Sequence, residues 1–257
     1  MQLELWKYLL IGLATFLASA INALAGGGTL LTFPALTAVG IPAIIANVTN
    51  HVALFPGYLG AVGAQWKTIK SQTRRLYWYI PAALIGGVLG GFLLLRSAET
   101  LFKDLVPFLI LSASLLLAFG NQIRNWITKR NADGSTSSAP MIVSAAAVLL
   151  AAIYGGYFGA GLSVIYLAVL GIFLNDSLTE LNGLKQILSL TTNMAASFFF
   201  IFSDKVDWVV AAIMAVFALL GGIAGGKLAG RISSETLRIV VVTIGIIVAI
   251  IYFIKQF

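Results

Sequence analysis

Polar side chains at helical spacing interrupt two stretches of the chain that are otherwise apolar. In the second half they are Asn182, Lys185, Gln186, Ser189 and Asn193, at i, i+3, i+4, i+7 and i+11, which places them on one face of a helix. Amides with one cation suit a small anion, whereas a metal-cation site would need carboxylates. Because polar groups facing lipid cost free energy, we expect this face to line a cavity or meet another polar face.

Related positions lie 135 residues earlier, at Asn47, Asn50, His51, Leu54 and Tyr58. Two interpretations remain open: hydrogen bonds that join helices, worth about 0.6 kcal/mol each on average, or a substrate site. Because the pattern occurs in both halves beside a glycine-rich break, we favour a substrate site. His51 is either a hydrogen-bonded structural residue or a proton carrier. Lys185 either faces the site, snorkels to the surface, or pairs with Glu180 or Asp176.

Glycines precede both polar faces and predict breaks in the helices. Each glycine inside a helix costs about 1 kcal/mol relative to alanine, so the run Gly26, Gly27 and Gly28 should end one, as should Gly159 and Gly161. Unpaired amides at the start of a following helix favour an anion. The hydroxyls of Thr29 and Ser163 and the amide of Asn22, which flank these breaks, complete the candidate substrate-binding residues.

Composition identifies an integral membrane protein. Hydrophobic residues make up 60% of the chain and charged residues 10%, and residues 8–66 contain no Lys, Arg, Asp or Glu. That stretch is too long for one helix across a hydrocarbon core of about 30 Å, and it shows no strand alternation. The chain has no cysteine, which excludes disulfides and thiolate sites, and we expect no metal or other cofactor. Its net charge of +7 lies in short loops, as membrane orientation requires, so we expect no nucleic-acid partner.

Internal repetition divides the chain into a first membrane repeat (1–125), a polar cytoplasmic linker (126–139) and a second membrane repeat (140–257). The segment GGVLGG at 86–91 returns as GGIAGG at 221–226. Positively charged loops alternate in opposite phase in the two halves, which predicts two inverted-topology repeats with both termini outside. Each repeat would be a glycine-broken helical hairpin followed by three transmembrane helices, in an all-α polytopic protein. The alternative is eight ordinary helices in two parallel halves with both termini inside.

Two segments resemble the signature regions of the TauE/SafE family of sulfite and organosulfonate exporters. They are SAINALAGGGTLLTFPALTAVGIPAIIANVTN at 19–50 and GGYFGAGLSVIYLAVLGIF at 155–173 with LNGLKQ at 181–186. The resemblance implies a bacterial inner-membrane protein that exports a small sulfur-containing oxyanion such as sulfite or sulfoacetate. The second segment reads FGAG where the family often has a longer glycine run.

Three functions follow from these features. The first is a secondary transporter that exports an anion by alternating access, without ATP hydrolysis, since no G-x-x-x-x-G-K-[ST] motif is present. The second is a passive anion channel built from the same residues. The third is an intramembrane serine hydrolase with Ser163 as nucleophile and His51 as base, although the G-x-S-x-G pattern is absent. The expected partners are a small anionic substrate, the lipid bilayer and a second copy of the chain in a homodimer.

Overall fold

The computed structural model describes residues 4–24, 27–132, 140–228 and 234–256, and every regular element in these ranges is a helix. The first half contains α1 (Leu5–Leu24), α2 (Thr29–Ala38), α3 (Ala43–Ala64), α4 (Trp66–Lys70), α5 (Thr73–Arg96), α6 (Glu99–Ala118) and α7 (Gly120–Ala132). The second half contains α8 (Met141–Tyr157), α9 (Leu162–Phe173), α10 (Leu178–Ile201), α11 (Trp208–Leu228) and α12 (Ser234–Gln256). The predicted hairpins and the three long helices that follow each of them are present.

Both predicted glycine breaks interrupt a helix. Gly27, Gly159 and Gly161 have φ values of +89°, +78° and +73°, a left-handed conformation that L side chains rarely adopt. The first break is fastened by Asn22, whose Oδ1 accepts a hydrogen bond from the Gly28 amide at 3.2 Å. Gly26 lies outside the described residues. The helices that follow have 10 residues in α2 and 12 in α9, too few to cross a bilayer alone.

Within the described ranges, four helices are long and apolar enough to cross a membrane: α1, α5, α6 and α12. Large apolar side chains project outward from them, such as Leu13, which is 59% exposed, and Ile254, which is 75% exposed. A surface of this kind is stable against lipid tails rather than water. The protein is therefore a multi-pass, all-helical membrane protein.

One helix of each half packs along a helix of the other half. Helix α5 packs along α8, and α11 packs along α1. Tyr79 near the start of α5 hydrogen-bonds Ser144 near the start of α8 at 2.8 Å, and Gly90 near the end of α5 lies against Tyr157 at the end of α8. The two helices therefore run in the same direction. Glycines at these crossings let the backbones approach closely, as is common between membrane helices.

Two further helix pairs from the two halves run in opposite directions. Between α6 and α12, Asp104 hydrogen-bonds Gln256, Phe108 stacks edge-on against Phe253 at 4.9 Å between ring centroids, and Ser114 lies against Gly245. Residue numbers thus rise along one helix while they fall along the other. Helices α3 and α10 are also antiparallel, because His51 lies against Phe200, whereas Val62, further along α3, belongs to one packed cluster with Leu190, earlier on α10.

Two helices were not predicted from the sequence. Helix α4 is a single short turn after α3, and α7 occupies much of the segment expected to be a polar linker. Ile127 of α7 is fully buried and packs against Gly171 of α9. Ile127 thus anchors a largely polar helix to the rest of the bundle.

The end of the bundle that contains α4, α7 and the starts of α5 and α10 is called the linker end below. Here the halves are joined by an ion pair between Arg75 and Asp176 and by a hydrogen bond from the Gln72 side chain to the Glu180 carbonyl at 3.0 Å. At the opposite end, the Ala43 amide donates to the Glu99 carboxylate at 2.7 Å. Both ends of the bundle are therefore held by contacts between different helices.

Candidate functional site

A small enclosed cavity, called the chamber below, lies where the two glycine breaks meet the long helices α3 and α10. Its volume is about 10 Å³, and it is lined by Thr29, Asn50, His51, Leu54, Tyr58, Gly159 and Asn193. Thr29 opens the helix after the first break, and Gly159 belongs to the second. The breaks therefore contribute to one cavity, as expected from the sequence, and the space suffices for about one water molecule.

His51 is held by Asn193 across the boundary between the two halves. The His51 ring is buried, and its Nδ1 lies 3.0 Å from Oδ1 of Asn193. The Asn193 amide is oriented by its own Nδ2, which donates to the Ser189 carbonyl at 3.2 Å. Since an amide oxygen can only accept, Nδ1 must carry the hydrogen. In neutral His51 the proton-free nitrogen is therefore Nε2.

Buried acceptors without partners distinguish the chamber from an ordinary packed core. Among the described residues, Oδ1 of Asn50 and Nε2 of His51 make no hydrogen bond of ordinary geometry, although the His51 ring lies near the Phe158 carbonyl. Buried polar atoms in proteins are nearly always paired. The two unpaired atoms belong to neighbouring residues on the chamber wall, so a water molecule held in the chamber would satisfy them.

The backbone amides at the two glycine breaks are less available to bind an anion than the sequence suggested. In α2 the Leu30 and Leu31 amides donate to the Gly27 and Gly28 carbonyls, both at 3.0 Å, and in α9 the Val164 amide donates to the Gly161 carbonyl at 2.9 Å. The expectation of several free donors at each helix start is therefore wrong for these amides. The glycine turns bend the chain tightly enough to supply their own acceptors.

Two of the predicted asparagines fasten the breaks instead of lining the chamber. Asn22 holds the Gly28 amide, as described above. Asn47 is fully buried and donates from Nδ2 to the Tyr157 carbonyl at 2.8 Å, just before the second break, while its Oδ1 has no partner among the described residues. Each asparagine thus positions the backbone close to a break.

The polar residues at the start of α10 do not line the chamber. Asn182 donates from Nδ2 to the Leu178 carbonyl one turn earlier at 2.7 Å, and Lys185 lies close enough to Arg124 of α7 for their charges to interact. Eight residues separate Lys185 from Asn193, a rise of about 12 Å along the helix. Lys185 and Gln186 therefore belong to the linker end, and of the second polar face only Asn193 lines the chamber.

Ser163 is also absent from the chamber wall. No hydrogen bond joins it to His51 among the described residues, and the Nδ1 of His51 is engaged by Asn193. A serine nucleophile requires its base within hydrogen-bonding reach. The arrangement therefore gives no support to the hydrolase hypothesis.

Two residues that shape the chamber were not among the substrate-binding residues expected from the sequence. Leu54 lines it, and Phe200 packs its ring against His51 at 5.6 Å between centroids. An apolar residue in an apolar helix carries no signal of this kind. For Leu54 the sequence did hold an indication: it lies four residues after Asn50, about one helical turn, which places it on the polar face.

Comparison with known proteins gives a consistent assignment. The family described as sulfite exporter TauE/SafE matches residues 11–252. A "Probable membrane transporter protein" of Haemophilus influenzae is 28% identical over 213 residues, which cover 83% of this chain and 81% of the relative. No solved structure shows a significant match.

Two further relatives carry similar names. "Probable membrane transporter protein ORF9" of Sinorhizobium sp is 25% identical over 92% of this chain and 88% of the relative. "Probable membrane transporter protein YfcA" of Escherichia coli strain K12 is 24% identical over 94% of this chain and 88% of the relative. The family match spans both glycine breaks and all the residues of the chamber, so this chain belongs to the sulfite exporter TauE/SafE family.

Proposed function

We propose that this protein is a secondary transporter that exports a small sulfur-containing oxyanion, such as sulfite, sulfoacetate or a related organosulfonate, across the bacterial inner membrane by alternating access. The family description supports the substrate class, and the names of the relatives support membrane transport. The observation that carries the mechanism is the enclosed chamber, whose wall is shared by the two halves. Such a position between repeats is where secondary transporters bind substrate.

An inverted repeat is part of this proposal. The 135-residue shift relates α3 to α10 and α6 to α12, and both pairs run antiparallel. Two parallel repeats would give equivalent helices the same direction, whereas inverted repeats give them opposite directions. The packing of α5 of the first half on α8 of the second, and of α11 of the second half on α1 of the first, follows the same symmetry. In this arrangement both termini lie at the end opposite α7.

The distribution of charge supports an orientation in which the linker end faces the cytoplasm. The basic residues of this end are Lys67, Lys70, Arg74, Arg75, Arg124, Lys129, Arg130, Lys185, Lys227 and Arg238, against the acidic Asp176, Glu180 and Glu235. At the opposite end Lys7, Arg96, Lys103, Lys205 and Lys255 are balanced by Glu4, Glu99, Asp104, Asp204 and Asp207. Excess Lys and Arg mark cytoplasmic loops, so both termini would lie outside.

His51 would couple anion binding to a proton. Neutral His51 presents a lone pair on Nε2, which repels an anion, whereas protonated His51 presents an N–H donor and a positive charge. No Lys, Arg, Asp or Glu lines the chamber in the described part of the chain, and the other titratable group on its wall is Tyr58. An anion would therefore enter with a proton on His51, and its Nδ1–H bond to Asn193 would keep the ring oriented.

Flux measurements in proteoliposomes test the proposed function. Purified protein should give saturable transport of sulfite or sulfonates in preference to chloride, with sulfate and thiosulfate compared alongside. An imposed proton gradient or membrane potential, the latter worth about 2.3 kcal/mol per charge per 100 mV, should drive accumulation against the substrate gradient. Flux that only dissipates gradients would identify a passive channel, and no flux of any sulfur oxyanion would contradict the proposal.

A matched pair of asparagine variants tests the chamber itself. Asn50→Ala removes an amide from the chamber wall, whereas Asn182→Ala removes an amide of the second polar face that lies outside the chamber. Loss of one hydrogen bond worth about 0.5 to 1.5 kcal/mol should raise the KM of Asn50→Ala several-fold. The KM of Asn182→Ala should stay close to that of the unmodified protein. Equal effects of the two substitutions would contradict the chamber as the binding site.

The pH profile tests the role of His51. The unmodified protein should bind the anion more tightly as pH falls, because protonated His51 is the form that accepts it. His51→Gln keeps hydrogen-bonding capacity and removes the titration, so its anion affinity should be weaker and independent of pH. A His51→Gln protein with an unchanged pH profile would exclude proton coupling through this residue.

A further inference from the structure

A second cavity, which shares no lining residue with the chamber, lies at the linker end. It has a volume of about 420 Å³ and lies between α7 and α12, with Asn121, Gln122, Asn125, Glu235, Arg238 and Thr243 among the residues that line it. Its volume falls in the range typical of small-molecule sites, about 300 to 1,000 Å³. The wall combines three side-chain amides and a hydroxyl with one cation, Arg238, and one carboxylate, Glu235. None of these residues belongs to the chamber.

Arg238 is buried in this wall without a counter-ion. Its side chain is only 9% exposed, and its Nε and Nη1 have no hydrogen-bond partner among the described residues. Glu235, one turn earlier on α12, interacts with it through space but forms no ion pair with it in the described part of the chain. A buried charge that lacks a paired group is costly to a protein.

Neighbouring charges increase this imbalance. Arg124 of α7 lies near Arg238 and also near Lys185 of α10, and its charge acts on both. Three helices thus bring positively charged side chains to one region of the linker end. Repulsion among them favours whatever anion can reach the cavity.

We infer that this cavity is a second oxyanion-binding site, in which Arg238 holds the anion. The ligand is a small oxyanion or the phosphate group of an anionic lipid, since both offer the oxygen acceptors that a guanidinium prefers. The amides of Asn121 and Asn125 and the hydroxyl of Thr243 supply further donors. The inference does not depend on the chamber or on the proposed transport.

Binding of inorganic sulfate to the full-length protein in neutral detergent tests the site. Ligand that binds only the folded state raises the unfolding temperature, so the unmodified protein should show a saturating rise as sulfate is added at constant ionic strength. Sulfate also stabilises proteins by general exclusion, and that contribution should be the same in all variants. Isothermal titration calorimetry on the same samples gives the affinity directly.

Variants assign the binding to Arg238. Arg238→Gln should abolish the saturating part of the response, and Arg238→Lys, which keeps the charge, should weaken affinity about tenfold, as expected for loss of charge-assisted hydrogen bonds. Lys129→Gln removes an exposed charge from the same α7 helix, away from the cavity wall, and should change nothing.

Nanodiscs distinguish a free oxyanion from a lipid phosphate. If lipid is the natural ligand, protein in discs of phosphatidylcholine with phosphatidylglycerol should show no further response to sulfate. Native mass spectrometry should then find phosphatidylglycerol retained by the unmodified protein but not by Arg238→Gln. If a free oxyanion is the ligand, sulfate should bind equally in discs with and without phosphatidylglycerol. Identical sulfate and lipid binding by the unmodified protein, Arg238→Lys and Arg238→Gln would overturn the inference.

Discussion

Gly159 occupies a position where any side chain would meet the imidazole of His51. A Cβ at this residue would lie 2.8 Å from Cε1 of His51, and the backbone φ of +78° is itself unfavourable for other residues. Gly159→Ala should therefore displace the ring and lower the rate of transport at least about tenfold, since misplacement of a key group by about 1 Å has large effects.

Gly222→Ala is the matched control for this substitution. No atom lies within 4 Å of a Cβ built at Gly222, which is in a regular part of α11. That variant should transport normally and unfold at the same temperature or slightly higher, because alanine favours helix. Normal transport by Gly159→Ala would show that the ring position does not matter.

At the scale of single residues, spacing in the sequence predicted which side chains share a face but not how far along the helix they act. Asn50, His51, Tyr58 and Asn193 were all predicted and all line the chamber. Lys185 shares a helix face with Asn193, yet it lies at the linker end. Periodicity fixes an angle around a helix axis, whereas depth depends on where the helix crosses its neighbours. The partners of the break amides depend on turn geometry in the same way.

Helices α6 and α12 provide a direct test of the repeat relationship. A Cβ at Gly245 of α12 would lie 3.3 Å from that of Ser114 of α6, so cysteines at these two positions should form a disulfide on mild oxidation, because the bond joins Cβ atoms about 3.5 to 4.5 Å apart. The chain has no other cysteine, which keeps the result unambiguous. Cross-linking is read as a mobility shift after proteolytic cleavage between the halves.

A second cysteine pair distinguishes the two possible symmetries. Two parallel repeats would bring Phe108 against its equivalent 135 residues later, Thr243, whereas antiparallel packing keeps these residues far apart. Phe108→Cys with Thr243→Cys should therefore remain reduced. A disulfide in this pair, and none between positions 114 and 245, would exclude the inverted arrangement.

At the scale of helices and loops, the sequence predicted the hairpins because glycine runs are strong local signals, and it predicted the long helices from uncharged runs. It missed α7 because the segment is polar, and a polar segment is typical of a loop. What makes α7 a docked helix is the packing of Ile127 against Gly171, a contact between residues far apart in the chain. No local pattern carries that information.

For the molecule as a whole, charge asymmetry predicts which end faces the cytoplasm. Thr128 on α7 and Asp204 near the start of α11 are both exposed and lie at opposite ends. In intact cells a membrane-impermeant maleimide should label Asp204→Cys after opening of the outer membrane, and it should label Thr128→Cys only after lysis. The reverse pattern would place the termini inside.

Alternating access predicts that the linker end must open for transport, because a chamber of about 10 Å³ cannot admit an oxyanion as it stands. Thr68 of α4 and Gly183 of α10 join the two halves at this end, and a Cβ at Gly183 would lie 3.5 Å from that of Thr68, close to the Cβ separation of a disulfide, about 3.5 to 4.5 Å. Thr68→Cys with Gly183→Cys should therefore be inactive when oxidised and should regain transport after reduction, while each single variant remains active under both conditions. Full transport by the oxidised pair, with the disulfide verified by mass spectrometry, would mean that the anion passes without separation of the two halves at the linker end.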